Sequence, residues 1–108
     1  MFSVIFPGQG SQIVGMGKEF YSRFDIVKKL FNDADEILGF SISNIILEGP
    51  KDKLDLTQNT QPAIFLVGYS IFKVIKNEFN IDLNKANFFA GHSLGEYTAL
   101  ASADALSF

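Results

Sequence analysis

Asn87-Phe88-Phe89-Ala90-Gly91-His92-Ser93-Leu94-Gly95-Glu96 is the stretch whose reading decides the fold. Asn87 to Ala90 reads as a short buried strand, and Glu96 through Leu106 is rich in alanine and leucine, as a buried helix is. Between them, Gly91-x-Ser93-x-Gly95 has the pattern of a nucleophile elbow. That chemistry needs a serine at the apex of a strained turn, its oxygen projecting into a cleft. Side chains two residues to either side would collide there, which is why Gly91 and Gly95 suit the positions. A helix starting just after the serine directs its N–H groups and positive dipole end at the reacting centre. The backbone N–H of Leu94 is then placed to stabilise an oxyanion. The competing reading is an ordinary strand-to-helix turn that happens to contain a serine.

Serine is a poor nucleophile until a base takes its proton. His92 is the single histidine, but neighbouring side chains diverge, and beside the serine it is expected to buttress the turn rather than act as base. No other residue presents itself as the base. The sequence therefore predicts that the base lies outside these 108 residues, or that there is no catalysis.

Working outward, Phe2 to Phe6 is an apolar, β-branched run stopped by Pro7-Gly8, the signature of a buried parallel strand. The loop Gly8-Gln9-Gly10-Ser11-Gln12 follows. It lacks the third glycine of G-x-G-x-x-G and has no G-K-[ST], so dinucleotide and Walker phosphate sites find little support. Glycine permits a backbone to approach a substrate closely. If the two strands are neighbours, both following loops leave the same sheet edge, where α/β sites are built. A backbone N–H near Gln9 then completes an oxyanion hole with Leu94.

Between the strands, apolar residues at 27, 30, 31, 34, 37 and 38 form an amphipathic helical stripe, with Asp25 suited to its start and Gly39 to its end. Ser41 is expected to cap a short helix through Ile42, Ile45 and Ile46, ended by Gly49-Pro50. Lys51 to Asp55 reads as a solvated connection. Thr60-Gln61-Pro62 is expected to open a long helix, with 64, 68, 71, 72, 75 and 79 on its buried face. The order strand, helices, strand, helix is an α/β pattern: a parallel sheet with flanking helices and a strand–nucleophile elbow–helix unit. Two parallel strands leave two open edges, so the expectation is the N-terminal portion of a longer domain, with a small complete domain as the rival.

Composition narrows the function classes. A hydrophobic fraction of 47% with 19% charged residues is that of a globular protein, not a disordered tail. A net charge of −3 argues against a nucleic-acid partner. With no cysteine there is no disulfide, zinc-thiolate or thiol nucleophile, and one histidine precludes a histidine-rich metal site. The N-terminus lacks the basic start and apolar length of a signal peptide, and Ala63 to Val67 is far short of the ~20 residues of a membrane span. The expectation is a soluble, cytoplasmic protein with no metal, bound cofactor or membrane partner.

Two signatures taken together, Phe6-Pro7-Gly8-Gln9-Gly10-Ser11-Gln12 and Gly91-His92-Ser93-Leu94-Gly95-Glu96-Tyr97, resemble the bacterial malonyl-CoA:acyl-carrier-protein transacylase family. Thr57-Gln58-Asn59-Thr60-Gln61-Pro62-Ala63 lies between them, and the resemblance covers the whole chain. Lipases share Gly-His-Ser-Leu-Gly, but Glu96-Tyr97 and the Pro-Gly-Gln-Gly-Ser-Gln loop favour the transacylases. The resemblance implies an incomplete acyltransferase domain in residues 1–108, continuing beyond them, with Ser93 as nucleophile and Gln9 and Leu94 as oxyanion N–H donors. Gln61 matches a polar residue near the acyl pocket. Malonyl-CoA and acyl carrier protein are the implied partners, with CoA a substrate and not a cofactor. The family's activating histidine and its malonyl-binding arginine are implied to lie past Phe108, so this stretch alone is expected to be inactive. The alternatives are a serine hydrolase and a non-catalytic remnant that holds a carrier protein. Lys28, Lys29, Lys73 and Lys76 carry no assigned role, since a solvated helix surface explains them.

Overall fold

The structure is a computed structural model, and it describes residues 3–6, 8, 10–78 and 88–91. Strand β1 (Ser3–Phe6) pairs in parallel with β2 (Phe88–Gly91). The register sets Ser3 against Phe88, Val4 against Phe89, Ile5 against Ala90 and Phe6 against Gly91. Both strands sit within a residue of the apolar runs that predicted them. Between them come α1 (Lys18–Arg23), α2 (Asp25–Leu38), α3 (Ile42–Glu48), α4 (Lys51–Leu54) and α5 (Thr57–Glu78). The fold is α/β, with a parallel pair of strands joined through a helical layer.

Helix α2 forms as its stripe dictates, burying Val27, Phe31 and Ala34. Gly39 closes it with φ 79°, a left-handed position that costs glycine nothing, and donates its N–H to the Asp35 carbonyl. Asp25 is the first helical residue and makes no side-chain cap; its charge instead faces the positive end of the helix. The stripe overreaches at its end, because Ile37 and Leu38 are exposed. Ser41 caps α3 as expected, accepting from the Asn44 N–H at 3.3 Å. Asp35 ties the two helices together, accepting from the Ser43 N–H at 2.9 Å and the Ser43 hydroxyl at 2.6 Å.

Three elements differ from the sequence reading. Helix α1 was unassigned; Phe24 alone, in extended conformation, separates it from α2. Its Phe20 and Tyr21 are half-buried against the core. The supposed solvated connection at 51–55 holds the single turn α4, whose Leu54 is wholly buried. Helix α5 starts at Thr57, so Pro62 lies in its second turn and leaves the Gln58 carbonyl without a helical N–H donor.

The buried face of α5 also lies elsewhere. Ala63, Leu66, Val67, Ser70 and Val74 face α2, α3 and α4, about a third of a turn from the anticipated face. Ile64 and Phe72 of that anticipated face are buried too, while Gly68, Ile71 and Ile75 are half-buried. A helix covered this broadly is a central element, not a surface one. Its 22 residues match a bilayer in length, but no helix among the described residues is apolar enough to cross a membrane.

Candidate active site

The strand pairing sets the site's position. Phe6 and Gly91 are partners at the C-terminal ends of parallel neighbours, so the chain leaves the sheet at two adjacent points on one edge. Gly91 is the last residue of β2. Gln9, His92, Ser93, Leu94 and Gly95 fall outside the described residues.

The loop after β1 is held by its own polar groups. The Gly8 carbonyl accepts from both the Ser11 N–H, at 3.4 Å, and the Ser11 hydroxyl, at 2.8 Å. Gly10 has φ 108°, a backbone that an L side chain rarely adopts. Its N–H donates to Gln12 Oε1 at 2.8 Å, and Gln12 Nε2 donates to Asp55 Oδ1 at 3.0 Å. These two contacts fix which way the amide faces, because one partner only donates and the other only accepts.

Asp55 ends the α4 turn, where it also pairs with Lys51. The Lys51 ammonium, and after it the Gln12 amide, hold the Asp55 carboxyl below its ordinary range; the carboxylate in turn raises Lys51. The turn bearing Asp55 is clamped from α5. Asn59 Nδ2 donates to the Lys53 carbonyl at 2.9 Å, and the buried Thr60 hydroxyl shares its one hydrogen between the Leu54 and Leu56 carbonyls. The Lys53 and Leu56 carbonyls also accept backbone N–H groups, so the side chains of Asn59 and Thr60 add a second layer of hydrogen bonds that ties the α4 turn to α5. Their segment, Thr57 to Ala63, reaches the loop after β1 through Asp55, a contact bridging 43 residues of sequence.

Gln61 is exposed on α5. Lys28 and Lys29 are exposed, and Lys73 lies over the Tyr69 ring with Nζ 5.4 Å from its centroid. Among the described residues, two shallow cavities of about 190 and 130 Å³ are lined by Glu19, Phe20, Arg23, Phe24 and Ile75 and by Ala34, Ile37, Leu38, Pro62, Phe65 and Leu66. Both are smaller than the ~300 Å³ from which ligand sites begin, and neither is lined by residues of the sheet edge. Sequence reasoning missed the contact between Gln12 and Asp55. Gln12 stood in the quoted loop, but Asp55 gave no local signal.

The pair β1–β2 ends both strands on one sheet edge, and in the sequence the first is followed by a glycine loop and the second by G-x-S-x-G. The chain belongs to the acyl transferase domain family, whose model matches residues 3–108. It is 48% identical over 104 residues to malonyl CoA-acyl carrier protein transacylase of Bacillus subtilis (strain 168), covering 96% of this chain and 32% of that protein. Among solved structures it resembles an acyl carrier protein S-malonyltransferase from Vibrio cholerae, with a TM-score of 0.88 and 38% identity over 95% of this chain and 33% of that one. It also resembles a malonyl-transacylase solved in complex with its type II PKS acyl-carrier protein, with a TM-score of 0.83 and 37% identity over 94% of this chain and 32% of that one. The chain therefore spans about a third of the length of these relatives.

Proposed function

We propose that these residues are the N-terminal portion of a single catalytic domain that moves malonyl from malonyl-CoA to the phosphopantetheine thiol of acyl carrier protein. The setting is fatty acid biosynthesis in the cytoplasm. The observation that carries this reading is the pairing of Phe6 with Gly91, the residues after which Gln9 and Ser93 follow in sequence. Membership of the acyl transferase family and the close similarity to named transacylases support it.

In this reading Ser93 Oγ adds to the thioester carbonyl, and the carbonyl electron pair moves onto oxygen, where the N–H groups of Gln9 and Leu94 receive it. The C–S bond then breaks and CoA leaves as its thiol, carrying the proton that a base took from the serine. The carrier thiol attacks the malonyl-serine ester in the same way, and the serine recovers its proton. Gly91 and Gly95 allow the turn, His92 buttresses it, and Gln61 stands at the acyl pocket. The base, and the arginine that would grip the malonyl carboxylate, come from beyond residue 108. Such an arginine pairs a carboxylate through two parallel hydrogen bonds, which is what separates malonyl from acetyl. No metal or resident cofactor takes part.

Incubating the intact protein with malonyl-CoA and locating the adduct by peptide mass tests this. The expected result is a malonyl ester on Ser93 that persists in buffer and is discharged by holo-carrier protein. Rapid loss to water would replace the reading with a hydrolase, and no adduct from folded protein would leave a binding module.

A further inference from the structure

We propose that residues 10–14 form a strap that swings off the helical layer as a unit, pivoting on Gly10 and Gly15 and latched shut by the Gln12–Asp55 hydrogen bond. The strap is independent of the acyl-transfer reading, because every group it uses lies in the loop after β1 or in the helical layer.

The strap is held differently from the residues beside it. Gly8 is buried on one side. On the other, the Gly15 N–H donates to the Ile46 carbonyl at 2.7 Å, and Met16 packs against the core. Between them Gly10, Ser11, Ile13 and Val14 are exposed, Ile13 at 67%. Burial therefore secures both flanks and contributes little to the strap. Val14 makes one apolar seat, over Gly49, where an added Cβ would lie 3.3 Å from a Val14 methyl.

Gly10 and Gly15 have φ 108° and 87°. A Cβ at either would meet nothing within 4 Å, so neither glycine is there to make room. What the two positions share is a backbone that L side chains rarely adopt and that glycine enters and leaves without steric cost. Residues able to absorb such φ/ψ changes are what a hinge requires.

The latch is one amide. Gln12 Nε2 donates to Asp55 Oδ1 at 3.0 Å, while its Oε1 accepts the Gly10 N–H at 2.8 Å, so the side chain that ties the strap down also braces it internally. The bonds from Ser11 to the Gly8 carbonyl are local; they shape the turn without attaching it to a helix. Asp55 makes a firm post, because Asn59 and Thr60 clamp its turn to α5. Opening costs the latch and the seat of Val14, far less than unfolding a layer built on Phe31, Ile42 and Ile46. Weakly held loops on rigid elements are where proteins place moving parts.

The test is amide hydrogen exchange of the intact protein, with thermolysin nicking of the 12–13 bond, just before exposed Ile13, as a second readout. Asp55→Ala leaves the partner of the Gly10 N–H in place. It is expected to raise Gly10 exchange and nicking about 2- to 10-fold, the net worth of one hydrogen bond. The Gly15 amide and those of α2 should stay within about twofold of wild type, since the anchor and the layer do not open with the strap. Asp55→Asn keeps an acceptor for Gln12 and should behave as wild type. Gln12→Met cannot donate and leaves α4 untouched, so it should raise nicking as Asp55→Ala does. Unchanged nicking in both Asp55→Ala and Gln12→Met would overturn the proposal. So would a Gly15 amide that accelerates with Gly10, which means unravelling of the loop and its anchor together. Neither readout involves Ser93, so failure here leaves the acyl-transfer reading standing, and the reverse holds.

Discussion

The helical layer around Phe31 and the loop from Gly8 to Gln12 are held by opposite means. In the layer, Val27, Phe31, Ile42, Ile46, Leu54, Ala63 and Val74 are at most 1% exposed and meet through hydrocarbon. Tyr21 adds a tilted ring contact with Phe31 at 5.2 Å. In the loop, Gly10 and Ser11 face solvent and the conformation follows from a few directional hydrogen bonds. Burial is non-directional and scales with area, so it makes a stable body without fixing any one atom to a fraction of an ångström. Hydrogen bonds contribute little net stability each but do fix direction. The layer supplies stability, and the hydrogen bonds of Ser11 and Gln12 fix the direction of the backbone groups they hold.

Substitution in the layer should give the largest effect and the least specific one. Phe31→Ala is expected to destabilise the intact protein by about 3–5 kcal/mol in denaturant unfolding, through lost burial and a residual cavity. A loss below about 1 kcal/mol would mean that Phe31 is not the packing centre its zero exposure indicates. Loop substitutions such as Ser11→Ala should instead cost no more than about 1.5 kcal/mol in the same measurement, the worth of one hydrogen bond.

The smallest effect is expected from pH. The Asp55 carboxyl titrates below its ordinary range, so its anchorage contributes fully above the unfolded carboxylate pKa, about 3.9, and is lost as pH falls through the lowered folded value. Lys51 is raised, so its share holds below about pH 10.4 and disappears as pH climbs through the raised folded value. The stability difference between wild type and Asp55→Asn should therefore be flat from about pH 5 to 9 and shrink in acid. The group faces solvent, so the difference should be small throughout. A difference that grew in acid would break the assignment.

How much of this was legible in the sequence follows the same division. Val27, Phe31 and Ala34 announced α2, because apolar residues on one helical face repeat at a recognisable spacing. Ser41 and Gly39 marked helix ends through local backbone chemistry. The parallel pairing was readable because two apolar runs separated by helices have few other ways to meet. Helix α4 escaped because a single turn with one buried leucine has no period to detect. The start of α5 escaped because Asn59 and Thr60 reach back to carbonyls of the preceding turn instead of capping in the usual forward sense. The buried face of α5 was misplaced because a helix apolar on several sides does not reveal which side its neighbours take. Within the site, the two glycine motifs were visible as spacing, whereas the Gln12–Asp55 contact is set by the tertiary fold.

The central proposal is that Ser93 carries the acyl group and that the backbone N–H groups of Gln9 and Leu94 receive its carbonyl oxygen. A crystal structure of the intact protein trapped as its malonyl-Ser93 ester tests it most directly. The account predicts the ester carbonyl oxygen within about 2.7–3.1 Å of the backbone nitrogens of both Gln9 and Leu94. An ester oxygen turned to solvent, or held by groups away from the loop after β1, would contradict it.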